Sequence, residues 1–172
     1  MSYPNTFFTK NTIFGIGVGL SFILSSFLLY KTGKSVIFNP QASNISLLLS
    51  IAGAYIGTRT LREEILHGFI SFRQALGSSI YIIIVGTFIH AIFIFQLYNA
   101  VPELMENYKS MLDIVLEEAY KGQDILATIK TVMGNAVSPL LIAITDFTNK
   151  IFTGFIFSLL IAAMLKRKKY NL

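Results

Sequence analysis

The chain has no cysteine, no tryptophan and very little charge. Its 172 residues include two histidines, and Asp, Glu, Lys and Arg together make up 13%. Without cysteine there is neither a disulfide framework nor a thiolate metal site. The two histidines, His67 and His90, fall on separate segments, which removes a His-based metal cluster; no metal and no cofactor is expected. A soluble domain carries roughly 25% charged residues, whereas this chain is 53% hydrophobic with a mean hydropathy of +0.63. Its Leu, Ile and Phe come in long blocks, the pattern of a membrane protein. In the absence of tryptophan, Tyr30, Tyr55, Tyr98 and Tyr170 are the residues available as interface anchors. The net charge of +5 borders the hydrophobic blocks, so the basic residues read as topology signals. Membrane lipids with anionic headgroups are their natural partner, and nucleic acid is not expected.

Four spans are expected in a single membrane domain over residues 1–172. The first, residues 13–30, is uncharged and reaches about 27 Å at 1.5 Å per residue, close to a hydrocarbon core of roughly 30 Å. Only Lys10 precedes it as an n-region charge and no small-x-small site follows, so it reads as a retained helix in preference to a signal peptide. The second, 43–58, is short and ends at Arg59; it can extend back toward Pro40. The third, 75–98, has no rival reading. The fourth lies within Pro139 to Leu165, with 146–165 as its apolar part, and ends in Lys-Arg-Lys-Lys. Four spans put both termini on one side. That side carries Lys10, Arg59, Arg62, Arg73, Lys166, Arg167, Lys168 and Lys169, and the Lys/Arg bias makes it cytoplasmic.

Residues 102–138, between spans three and four, predict an amphipathic helical hairpin. Pro102 starts a helix with Leu104, Tyr108, Met111 and Val115 on one face, and Gly122 closes it. Asp124 is placed to cap a second helix carrying Ile125, Ile129, Val132 and Met133. The fold class is therefore an all-α integral membrane protein: four transmembrane helices with a hairpin between helices 3 and 4.

Small residues at four-residue spacing mark packing seams: Gly15 and Gly19, Gly53 and Gly57, then Gly154, Ser158 and Ala162. Intramembrane polar groups are rare and often functional. His90 falls within span three and must face the bundle, where its simplest state is a neutral ring hydrogen-bonded to a neighbouring Ser, Thr or carbonyl. Asp146 and Lys150 are one turn apart. Counting back from the Lys-Arg-Lys-Lys stop puts them at the membrane edge, with Lys150 reaching outward; buried against the bundle, they would be an ion or headgroup site. Glu63, Glu64 and His67 read as a solvated charged turn. No nucleophile elbow, paired-acid cleft or cofactor fingerprint is present, so catalytic residues are not expected and the chain does not read as an enzyme.

The stretch His67-Gly-Phe-Ile-Ser-Phe-Arg-Gln-Ala-Leu-Gly-Ser-Ser79 resembles the bacterial domain-of-unknown-function family 4199. Gly68, Phe69, Ile70, Ser71, Phe72, Gln74 and Ala75 carry the match, while Arg73 replaces a residue that is small in the family. The resemblance covers nearly the whole chain. It implies a four-helix, multi-pass protein of the bacterial inner membrane with no established activity. It also implies a possible accessory role beside a polyprenyl-phosphate glycosyltransferase. Two functions are thus expected. One is a non-catalytic subunit or scaffold in contact with another membrane protein or its own copy. The other is a small dimeric transporter or lipid flippase, which requires His90, Asp146 and Lys150 to share a cavity.

Overall fold

The computed structural model describes residues 3–33, 36–37 and 39–167. Lys168, Lys169 and Tyr170, to which the sequence assigns topology or anchoring roles, lie outside them. Among the described residues six α-helices follow one another: α1 (Tyr3–Lys31), α2 (Pro40–Thr60), α3 (Phe72–Ala100), α4 (Pro102–Ala119), α5 (Leu126–Ala136) and α6 (Pro139–Leu165). A single π-helical turn, Leu61–Ile65, continues α2. There is no strand among the described residues, and one isolated bridge joins Ile70 to Arg167. The four bundle helices α1, α2, α3 and α6 each run past the expected span, at residues 13–30, 43–58, 75–98 and 146–165 respectively.

Helices α1, α2, α3 and α6 form the bundle. Helix α3 is central, packing most extensively against α6 and α1, and α2 lies against all three. Among the described residues α1, α3 and α6 are long and apolar enough to cross a membrane. The polarity of the bundle is that of an α-helical membrane protein. Leu20, Leu24, Phe88, Phe152, Leu160 and Met164 are exposed on the outside, whereas Asn11, Ser26, Thr58, Ser78, Ser79, Thr87, His90 and Ser158 are buried within. Water would favour the reverse arrangement; in lipid, polar contacts between helices hold the bundle and apolar side chains face the solvent.

The glycines set how closely the helices approach. A Cβ on Gly15 would fall 2.6 Å from the Val85 Cβ, and one on Gly19 2.9 Å from the Ile89 Cβ, so α1 meets α3 along this stripe. Gly53 faces Val18, Gly57 faces Ile82 and Phe14, and Gly154 faces Ile83. Ser158 and Ala162 are fully buried on the same side of α6. All seven small residues singled out in the sequence therefore lie at contacts within the bundle. Gly86, which sequence reasoning passed over, is the counterpart of Gly15 and Gly19: its Cβ would meet Val18 at 2.8 Å and the Gly15 carbonyl at 3.1 Å.

One end of the bundle gathers the start of α1, residues 59–73 and the end of α6. Lys10 pairs with Glu64 at 2.8 Å, and the Arg62 guanidinium donates to the Leu165 carbonyl at 3.2 Å. The opposite end carries α4 and α5. Leu104 is buried and Tyr108 half-buried there, with Tyr108 packed against the buried Tyr98. Tyr98 thus belongs to the core rather than to an interface belt, a correction to the anchor role expected of it. Asp124 does not cap α5; the helix begins after Ile125 with no side-chain cap bond. Met111 and Val115 on α4, and Ile125, Val132 and Met133 on α5, remain exposed.

Candidate functional site in the helix bundle

His90, Asp146 and Lys150 meet, although they come from α3 and α6 and the sequence placed them at different depths. His90 Nδ1 is 3.0 Å from Asp146 Oδ2, and Lys150 Nζ donates to Asp146 Oδ1. A fourth residue, which the sequence did not single out, completes the row: Ser26 Oγ of α1 lies 2.8 Å from His90 Nε2. The His90 side chain is 3% exposed, Asp146 13% and Lys150 14%. Lys150 therefore does not reach outward as the sequence suggested; both side chains are turned into the bundle, the alternative that made them an ion or headgroup site. Asp146 lies about 10 Å along α6 from its start at Pro139, and His90 about 15 Å from the end of α3 at Ala100.

For a carboxylate and a neutral imidazole, the chemistry of the groups sets the direction of each bond. A carboxylate only accepts, so Asp146 accepts a hydrogen bond from Lys150 Nζ on one oxygen and from His90 Nδ1–H on the other. A neutral ring protonated at Nδ1 presents a lone pair at Nε2, which accepts from the Ser26 hydroxyl. Lys150, Asp146, His90 and Ser26 thus form one ordered chain of hydrogen bonds. Phe22, fully buried, packs edge-on to the His90 ring at 5.5 Å and lies 5.7 Å from Lys150 Nζ. Its ring fixes the imidazole plane and offers the ammonium a cation–π contact.

All four polar residues line one cavity of about 370 Å³ between α1, α2 and α6. That volume suits a small molecule or the polar end of a larger one. Ser43, Asn44, Ser46 and Ser50 of α2 line it from one side, Thr145 and Asn149 of α6 from the other, and Tyr108 of α4 reaches it. These serines and Asn44 are what make α2 the least apolar bundle helix.

A second buried polar row lies nearer the opposite end. Thr58 Oγ1 donates to Ser78 Oγ at 3.2 Å, and Ser78 Oγ donates to Asn11 Oδ1 at 2.8 Å. It borders no cavity containing the groups above. Glu63, Glu64 and His67 stay apart from both rows. The Arg62 guanidinium beside Glu63 holds its carboxyl below the usual range, and no group of three or more metal-ligating side chains forms among the described residues.

The family described as Protein of unknown function (DUF4199) matches residues 13–167. The chain belongs to this family. No curated protein and no solved structure matches it. The stretch that carries the DUF4199 resemblance turns out to be a re-entry turn. Gly68 has a φ of +88°, a left-handed conformation that glycine adopts without strain. Ile70, fully buried, exchanges both backbone hydrogen bonds with Arg167. Ser71 and Gln74 form a reciprocal capping box that starts α3. Ala75 then lies flush against the bundle. Ser-x-x-Gln before an apolar run was a readable capping signal in the sequence. Phe69 and Phe72 remain partly exposed beside this turn.

Proposed function

We propose that this DUF4199 protein is a four-span protein of the bacterial inner membrane, both termini cytoplasmic, that binds a small polar solute or lipid headgroup in its cavity, as a small transporter or flippase does. The observation that carries the reading is that His90, Asp146 and Lys150 all line the same cavity. Had they pointed apart, no polar path through the apolar bundle would have remained. Helix α2 supports the fourth span. Its 21 residues reach about 31 Å. It packs beside the three apolar helices, and its polar residues Ser43, Asn44, Ser46 and Ser50 line the cavity. Lys10, Arg59, Arg62, Arg73, Lys166 and Arg167 all fall on the two termini and the α2–α3 loop, the side expected in the cytoplasm.

Native mass spectrometry of the detergent-purified protein tests the binding. The wild type should carry a small molecule or lipid that D146N and K150M lose; identical bound species in all three would refute it. Orientation is tested with E117C in this otherwise cysteine-free chain. An impermeant thiol reagent should reach it from the periplasm in intact spheroplasts. Labelling only after the inner membrane is broken would reverse the topology.

A second reading is supported by a different observation. The stripe of Met111, Val115, Val132 and Met133 on α4 and α5 is exposed, with no cover among the described residues. In that reading the protein is a non-catalytic subunit, for example beside a polyprenyl-phosphate glycosyltransferase. Purification in mild detergent with a stoichiometric partner, lost on V115E, is the expected result.

A further inference from the structure

The order of the hydrogen bonds at the cavity, from hydroxyl to imidazole to carboxylate, is that of an activated serine. The geometry points to Ser26 as a nucleophile toward carboxylic esters of amphiphilic molecules, with His90 as its base and Asp146 as the residue that positions His90. This inference rests on the cavity being open to ligands, as the proposed function requires.

Three observations carry it. The first is connectivity: Ser26 Oγ meets Nε2 at 2.8 Å, and Nδ1 meets Asp146 at 3.0 Å, so each imidazole nitrogen has the partner needed for proton abstraction. The second is that Ser26 departs from the backbone bonding of most helical hydroxyls and, unlike Thr58 and Ser78, meets an imidazole. Ser21, Ser25, Ser50, Ser79 and Thr87 each donate to a carbonyl of their own helix, the default for a hydroxyl in a membrane helix. Ser26 instead directs its hydroxyl to an imidazole on another helix. The third is placement. Ser26, His90, Asp146 and Lys150 border one cavity whose remaining wall is partly apolar, with Leu29 and Leu47 among its lining residues. An ester with one polar and one apolar end fits such a wall.

The reaction balances without any further reagent. Ser26 Oγ attacks the ester carbonyl carbon as its proton passes to His90 Nε2. The new C–O bond leaves a tetrahedral oxyanion, and Asp146 stabilises the imidazolium through Nδ1–H. The Ser26 amide lies within α1, so its N–H is committed to the helix and cannot serve the oxyanion. Donors must come from side chains, and Lys150 and Asn149 of α6 line the same cavity. Collapse breaks the bond to the leaving alcohol, which takes the proton from His90. The acyl group remains on Ser26. Water then attacks the acyl-serine, giving up a proton to His90; the carboxylic acid departs and Ser26 recovers its hydroxyl.

The test uses the full chain in detergent micelles, with a small fluorophosphonate as probe and p-nitrophenyl butyrate as substrate. A phosphonyl adduct is expected on Ser26, located by peptide mass spectrometry. Ester hydrolysis should vanish in S26A and H90A and persist in S21A, whose hydroxyl lies outside the cavity lining. D146N should lose at least about a hundredfold in rate, and D146E should recover part of it, as a positioning carboxylate requires. In parallel, S26C in this cysteine-free chain should react with a small methanethiosulfonate. If S26C reacts while the wild type forms no phosphonyl adduct, the nucleophile is refuted and the binding cavity stands. If S26C is inert, the cavity is closed and both readings fall. Hydrolysis that persists in S26A also overturns the inference.

Discussion

Removing the Asp146 carboxylate should destabilise the bundle far more than removing it together with Lys150. In the wild type the carboxylate is shared: one oxygen takes Lys150, the other His90. Both charged side chains are largely withdrawn from solvent, at 13% and 14% exposure. D146A leaves a largely withdrawn ammonium without its counter-ion and an imidazole N–H without an acceptor. Breaking a buried pair from one side costs roughly 3–5 kcal/mol. At this chain length each kcal/mol lowers Tm by about 2–4 °C, so D146A should melt roughly 10 °C below the wild type. The double variant D146A/K150M removes both charges and puts an apolar chain of similar length over Phe22. It leaves only the His90 N–H unsatisfied, a loss of about 1–3 kcal/mol, and should recover more than half of the deficit. The assay is thermal unfolding in one detergent of wild type, D146A, K150M and D146A/K150M, read as a double-mutant cycle. The reasoning is refuted if D146A melts within about 2 °C of the wild type, or if the double variant melts no higher than D146A.

Three further expectations concern the scaffold around the site. G15A should lose about 1–3 kcal/mol from overpacking, since its Cβ would press on Val85 and the Ile82 carbonyl. G17A, with nothing within 4 Å, should gain up to about 1 kcal/mol from helix propensity; thermal melts of opposite sign decide it. At the re-entry turn, S71A should cost about 1 kcal/mol through the lost cap, and G68A about 1–2 kcal/mol because φ is positive there. Faster amide exchange over the first turn of α3 would register both. In the second polar row, S78A should cost about 1–3 kcal/mol by leaving the buried Asn11 carbonyl without its donor. S78A/N11L should restore much of the loss, and equal melts for the two variants would count against that row as a stabilising element.

Much of the fold is legible in the sequence because lipid imposes simple rules. An apolar block near 20 residues has few alternatives to a helix, and glycines four apart have few uses there beyond close approach. Helix α2 is the instructive exception. Judged by hydropathy it is the weakest bundle helix, and its polar residues look like a defect when read one at a time. In three dimensions Ser43, Asn44, Ser46 and Ser50 share the wall of a polar cavity, so the loss of hydropathy is the imprint of the site on the sequence. The site itself was only half readable. Single rare residues, such as a histidine or an Asp–Lys pair in an apolar helix, draw attention by their desolvation cost. Ser26 does not, because serine is ordinary in membrane helices and usually bonds its own backbone. The partners His90 and Asp146 are 56 residues apart and Ser26 and His90 64 apart. No local periodicity links positions so distant; only the packing of α3 between α1 and α6 brings them together. Glycine is what permits that packing. Gly15, Gly19 and Gly86 let α1 and α3 come close enough for a hydroxyl to reach an imidazole across the gap. Larger residues along that stripe should therefore lengthen the Ser26–His90 bond as well as lower the melting temperature. The fluorophosphonate reactivity of G19A, compared with its stability, would separate the two effects: a variant that stays folded yet loses labelling would tie the glycine stripe to the chemistry, whereas full labelling would show that the bond survives a wider seam.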